Sequence, residues 1–104
     1  MTVYVIARMT IHDRDAYNKY DEGFMETFEP FGGTILSVDE NPTVLQGEWT
    51  ATRSILLEFP SKDVAMAWMT SPAYQEVAKH RLAGSTGEAI LVNAFTGIPG
   101  QAST

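Results

Sequence analysis

Five aromatic residues place the tightest constraint on this chain: Tyr17, Tyr20, Phe24, Phe28 and Phe31 recur at spacings of 3, 4, 4 and 3. That rhythm is one face of an α-helix. Asp15, Asp21, Glu22, Glu26 and Glu29 fill the other face, so the helix carries an aromatic stripe that must be laid on an apolar surface. Asp13 is placed to cap the start of the helix, and Gly32-Gly33 to end it in a left-handed turn. In 104 residues there is room for one domain and one core. The surface opposite the stripe must therefore come from the same short chain.

Strand-like segments supply it. Residues 3–9 are rich in β-branched and aromatic side chains and end at the polar corner Thr10-Ile11-His12-Asp13. Residues 34–38 read as a second strand before the turn Asp39-Glu40-Asn41-Pro42, 43–46 as a short extra strand, and 53–59 as a third main strand. Ser61 is expected to cap a helix bearing Val64, Ala65, Trp68 and Met69 on one side. Pro72 suits the first position of a second helical piece, running to about residue 82 with Tyr74, Val77 and Ala78 inward. Gly84 and Gly87 bracket its exit, and 88–95 is the last strand. Residues 1–95 are read as the single domain, and the small-residue segment 96–104 as a mobile tail.

This order predicts an α+β, ferredoxin-like split βαβ fold with a four-stranded antiparallel sheet. Strands one and three are expected side by side at its centre, running parallel, with helices over one face. Alternation then puts Val3, Val5, Ala7, Ile55, Leu57 and Phe59 on one face and Tyr4, Ile6 and Leu56 on the other, so both faces are apolar. Four strands about 4.8 Å apart and roughly 18 Å long present on the order of 350 Å², a large apolar patch for a monomer. A second copy is the economical cover, and a homodimer that closes into a dimeric α/β barrel is expected.

Thirteen acidic against seven basic residues, a formal charge of -6, argue against nucleic acid or an anionic membrane as partner. The absence of cysteine removes disulfides, thiolate nucleophiles and cysteine-ligated metals, and fits a cytoplasmic setting. The first eight residues break their apolar run at Arg8 and lack a basic flank, so they read as a strand rather than as a signal peptide or membrane span. There is no glycine-rich phosphate loop and no His-x-x-x-His or Glu-x-x-His spacing, and Ser61 and Ser71 read as caps. No cofactor and no metal are implied.

Several stretches together resemble the family known as domain of unknown function 1330, within the dimeric α/β-barrel superfamily. They are Tyr4-Val-Ile-Ala-Arg8, Ile11-His-Asp13 with Tyr17 and Tyr20, Phe31-Gly-Gly33, Leu45-Gln-Gly-Glu-Trp49, Leu57-Glu-Phe-Pro-Ser61, and Trp68 with Ser71-Pro72-Ala-Tyr-Gln75. The resemblance spans residues 3 to about 95 and implies the dimeric ferredoxin-like fold. It selects no activity, since the wider superfamily holds cofactor-free monooxygenases, cyclases, isomerases, haem-dependent members and structural members.

Arg8 and Glu58 are expected near the carboxyl ends of the two central strands, on the Tyr4–Leu56 face and within pairing distance. Two readings stand: a structural ion pair at the dimer rim, or an acid–base site in which Glu58 abstracts a proton beside a carbonyl while Arg8 holds the developing enolate. His12, at the same corner, is a candidate base or donor and equally a partner for local backbone. His80 lies in Lys79-His80-Arg81 at a helix end, which reads as a solvated face answering the helix dipole. Trp49, Tyr4 and Trp68 are candidate substrate-binding residues; Tyr17, Tyr20 and Tyr74 could also wall a flat aromatic ligand, though core packing explains most of these aromatics equally well, whereas Trp49 lies in a loop-like stretch that packing does not demand. The expected function is cofactor-independent isomerisation, cyclisation or oxygenation of a small carbonyl or aromatic compound. A catalytically silent binding or structural homodimer is the main rival, and haem held by His12 or His80 a third class.

Overall fold

The computed structural model describes residues 1–96. Strand β1 spans Val3–Ile11, helix α1 Arg14–Phe28, and a 3-10 turn Glu29–Phe31 follows before β2, Thr34–Asp39. After an irregular loop come β3 Arg53–Phe59, α2 Lys62–Thr70, α3 Pro72–Gly84 and β4 Ser85–Asn93. The caps are those expected from the residue types. Asp13 accepts from the Ala16 amide, Ser61 from Val64 and Ser71 from Tyr74, while Gly32 takes φ 69° at the end of the 3-10 turn. The expected tail, beyond Thr96, lies outside the described residues.

The four strands form one antiparallel sheet in the order β2-β3-β1-β4. Strands β1 and β3 are neighbours as expected, but they run antiparallel, with Val3 opposite Phe59 and Met9 opposite Arg53. The correction follows from connectivity. The crossover through α1 makes β2 parallel to β1, and β3 pairs antiparallel with β2, so β3 opposes β1 as well. Residues 43–46 form no strand; Leu45 there is 94% exposed, between Pro42 and the left-handed Gly47.

Inward alternation on β1 buries Val3, Val5, Ala7 and Met9, and Leu57 and Phe59 from β3 join them. The aromatic stripe of α1 lies on this face. Phe28 meets Phe59 and Trp68 edge-on at 5.4 and 5.5 Å between centroids, and Trp68 stacks obliquely on Tyr74 at 4.2 Å. Helices α1 and α3 pack so closely that a β-carbon on Gly84 would come within 2.7 Å of the Asp13 carbonyl oxygen and 2.8 Å of the Tyr17 nitrogen. That contact is tied by the His12 and Asp13 amides, which both donate to the Gly84 carbonyl. The opposite sheet face has no layer over it: Ile6 is 42% and Ile90 58% exposed, with Leu56 and Val92 half-buried between Tyr4, Arg8, Glu58 and Glu88.

Candidate functional site

Alternation along β3 has a consequence at its first residue. Arg53 shares parity with Ile55, Leu57 and Phe59 and so enters the core face, where it is 9% exposed. A buried guanidinium needs partners. Nη1 and Nη2 donate to both oxygens of Asp21 at 3.3 and 3.1 Å, and Nη1 also to Glu40 at 2.9 Å. Arg14 grips Glu40 from the other side with bonds of 2.6 and 3.3 Å. This knot ties the start of α1, the end of β2 and the start of β3. The Arg14 bond, aided by the charge of Arg53, holds the Glu40 carboxyl below the usual carboxylate range.

Beside the knot, the layer between sheet and helices is not filled. A cavity of about 210 Å³ runs over Val5, Ala7, Met9, Ile55 and Leu57 from the sheet, under Phe24, Met25, Trp68 and Met69 from the helices, and against Ile35 and Val38 at the edge. Its lining residues are apolar except for Asp21, Arg53, Arg81 and the tyrosines Tyr20 and Tyr74, whose buried hydroxyls bond each other at 2.9 Å. Burial pushes the Tyr20 hydroxyl well above the usual phenol range, and Tyr74 adds to the shift. Burial raises Tyr17 too, against the pull of Arg53. Both tyrosines therefore keep their protons at neutral pH and act as donors or acceptors of hydrogen bonds, not as bases. Among the described residues, buried Nε–H groups of Arg53 and Arg81, the Trp68 indole N–H and the Tyr17 hydroxyl have no partner within the protein.

The residues expected to carry chemistry stand elsewhere. Because β1 and β3 are antiparallel, Arg8 and Glu58 lie at opposite ends of their ladder, opposite Ser54 and Tyr4 respectively. They do not pair. Arg8 instead bonds its β4 partner Glu88 at 2.9 Å and lies 6.0 Å from the centre of the Trp49 ring, in a recess on the uncovered face that Ile6, Ser54 and Ile90 complete. Glu58 and Tyr4 are half-buried cross-strand neighbours on that face and line neither hollow. His12 and His80 are exposed, His80 on the solvated helix end expected for it. Of the aromatic residues expected as possible walls for a ligand, Trp68, Tyr20 and Tyr74 line the cavity, and Trp49 and Tyr17 do not.

Three cavity residues carry a positional signal in the sequence that their charge masks. Arg53 carries inward strand parity. Arg81 lies seven residues after Tyr74, two turns along the same helical face, and is half-buried rather than solvated. Asp21, placed on the polar face of α1 by its charge, is half-buried against Arg53. Among the described residues no group of three or more His, Cys, Asp or Glu is placed to hold a metal ion, and no helix is long and apolar enough to cross a membrane.

A four-stranded antiparallel sheet with helices on one face defines a ferredoxin-like α+β protein. The chain belongs to the family described as domain of unknown function (DUF1330), whose model matches residues 2–95. No match was found among curated proteins. Among solved structures, it is similar to a protein of unknown function from Rhodopseudomonas palustris, with TM-score 0.79 and 18% identity over 92% of this chain and 84% of that one. A dimeric ferredoxin-like protein of unknown function from Jannaschia sp. CCS1 aligns with TM-score 0.70 and 14% identity, covering 90% of this chain and 100% of that one. SnoaB, a cofactor-independent oxygenase from Streptomyces nogalater, aligns with TM-score 0.58 and 19% identity over 94% of this chain and 97% of that one. At these identities the likeness is one of fold.

Proposed function

We propose that the protein is a homodimer that takes a small carbonyl or aromatic compound into the cavity between sheet and helices and transforms it without a bound cofactor, by isomerisation, cyclisation or oxygenation. The observation that carries this reading is the cavity itself: about 210 Å³ of mostly apolar space lined also by Arg53, Arg81, Tyr20 and Tyr74. Such sites bind a flat apolar body and orient it through a few polar groups. Donors set in an apolar wall favour negative charge as it grows on a substrate oxygen, which is the common demand of these reactions. SnoaB supplies a precedent for cofactor-free oxygenation on this fold.

The homodimer rests on the exposed apolar sheet face, with Ile6 and Ile90 at its middle, and on the dimeric state of the Jannaschia neighbour. A non-catalytic binding dimer is the second reading. It draws on one observation: Asp21, the carboxylate lining the cavity, has both oxygens engaged by Arg53 and is not free to act as a base. An acid–base role for Glu58, Arg8 or His12 would require a site at the outer face or at the strand-to-helix corner, away from this cavity.

Amide and side-chain NMR shifts during titration with aromatic aldehydes, ketones and phenols test the reading. Perturbation centred on Phe24, Trp68 and Met69, followed by product in the same tube, supports the enzyme. Perturbation without product supports the binding dimer. Shifts centred on Arg8, Trp49 and Glu58 would move the site to the outer face and overturn the proposal.

A further inference from the structure

The large apolar residues around the cavity differ in how far solvent reaches them, and the difference gives the hollow a direction. Leu57, Trp68 and Tyr74 are buried, Phe24 and Met69 are half-buried, and Met25, Ile35 and Val38 are 42%, 39% and 44% exposed. The last three belong to two neighbouring elements. Ile35 and Val38 lie on β2 opposite Leu57 and Ile55 and share their face of the sheet, and Met25 lies one turn after Asp21 on α1. Strand β2 is the outer strand on this side and is exposed along its whole length, so the helical layer ends short of it. The cavity is therefore closed toward Trp68 and Tyr74 and opens between α1 and β2.

Single exposed apolar side chains are ordinary on a protein surface. Three that rim the mouth of one hollow are not scattered, and a contiguous exposed apolar surface marks a place where something binds. The rim is chemically uniform, a flexible thioether and two branched aliphatic chains. The acid one turn away on α1, Asp21, is bonded to Arg53 through both oxygens and is not free to receive a polar group of a ligand. What lies on this rim is hydrocarbon.

Size makes the rim part of the same ligand. An apolar cavity of about 150 Å³ takes up benzene, so 210 Å³ is filled by one ring with a short substituent, and anything longer must leave through the opening. Resting on the reading of this cavity as the ligand site, we infer that the ligand is a single-ring or carbonyl compound bearing a straight hydrocarbon tail. Its head sits inside, against Phe24 and Trp68, and its tail runs out between α1 and β2 over Met25, Ile35 and Val38. A second copy does not serve as this cover, because the proposed dimer contact uses the opposite face of the sheet, that of Ile6, Leu56 and Ile90.

Calorimetric titration with the phenyl alkyl ketones from acetophenone to hexanophenone, with NMR shifts at Phe24 and Trp68 reporting the site, tests this. Full burial of a methylene tightens binding about fourfold and burial on a half-open rim about twofold, so affinity is expected to rise about twofold with each methylene added. The double variant Met25→Gln, Val38→Thr changes polarity at two exposed positions with little change of shape. It is expected to flatten that rise while acetophenone still binds as it does to the wild type; thermal melting reports that the variant is folded. Equal binding of acetophenone and hexanophenone by the wild type would overturn the tail and leave the cavity as the ligand site. A rise that persists unchanged in the double variant would also overturn it. A double variant that sediments as a monomer beside a dimeric wild type would show that a second copy covers the rim and would likewise sink this inference alone, whereas silence of every ketone at Phe24 and Trp68 would remove the cavity reading with it.

Discussion

The Arg53 guanidinium lies over the buried Tyr17 ring, 5.0 Å from its centroid, while its terminal nitrogens hold Asp21 and Glu40. One strand residue thus packs on α1 through its π-face and binds α1 and the β2 end through charge. Arg53→Met nearly keeps the volume and removes the charge, leaving Asp21 without its ion-pair partner and Glu40 held by Arg14 alone. Urea unfolding should show a loss of about 2 kcal/mol, below the cost for a fully buried pair because water reaches both acids. An unchanged midpoint would mean that the knot contributes nothing to stability.

Acid should loosen the same knot. Glu40 is held below its ordinary pKa mainly by the hydrogen bond from Arg14, so its pairing contributes fully above the unfolded value, about 4.3, and is lost as pH falls through the folded value. Stability of the wild type should therefore decline more steeply than that of Glu40→Gln between roughly pH 5 and pH 3. The difference will be modest, since Glu40 is 43% exposed. Parallel stability curves for the two proteins would contradict it.

Gly84 is where α3 touches α1, and the two nearest atoms a β-carbon would meet are backbone, which cannot rotate away. Gly84→Ala should cost about 1–3 kcal/mol and lower the melting temperature despite the better helix propensity of alanine. A stabilised variant would show that the two helices can separate without loss.

Tyr74→Phe removes the partner of the Tyr20 hydroxyl, which is buried. Loss of about 1 kcal/mol in chemical denaturation is expected. A ligand that accepts from Tyr20 in place of Tyr74 would bind the variant no more weakly than the wild type.

On the uncovered face, Ile6→Lys places a charge at the middle of the proposed interface, beside Leu56 and Ile90. Sedimentation velocity at micromolar concentration should show a dimer for the wild type and a monomer for the variant. A monomeric wild type would remove the interface.

Much of the architecture was present in local pattern. The aromatic spacing of α1, the caps at Asp13, Ser61 and Ser71, and the alternation of Val3, Val5 and Ala7 each act over a few residues, so sequence by itself determined the helices, the four main strands and most of the core. What only tertiary structure decided is which side chains meet across long separations. Strand direction depends on how the α1 crossover and the β2–β3 connection close together, and that parted Arg8 from Glu58 and gave Arg8 to Glu88. Arg53, Asp21 and Arg81 read as solvent-facing or unremarked charges because periodicity weighs hydrophobicity and cannot see that a carboxylate 32 positions away will neutralise a buried guanidinium. The cavity is likewise a property of two layers that fail to interdigitate, a matter of side-chain volumes in three dimensions that no single segment of the chain records.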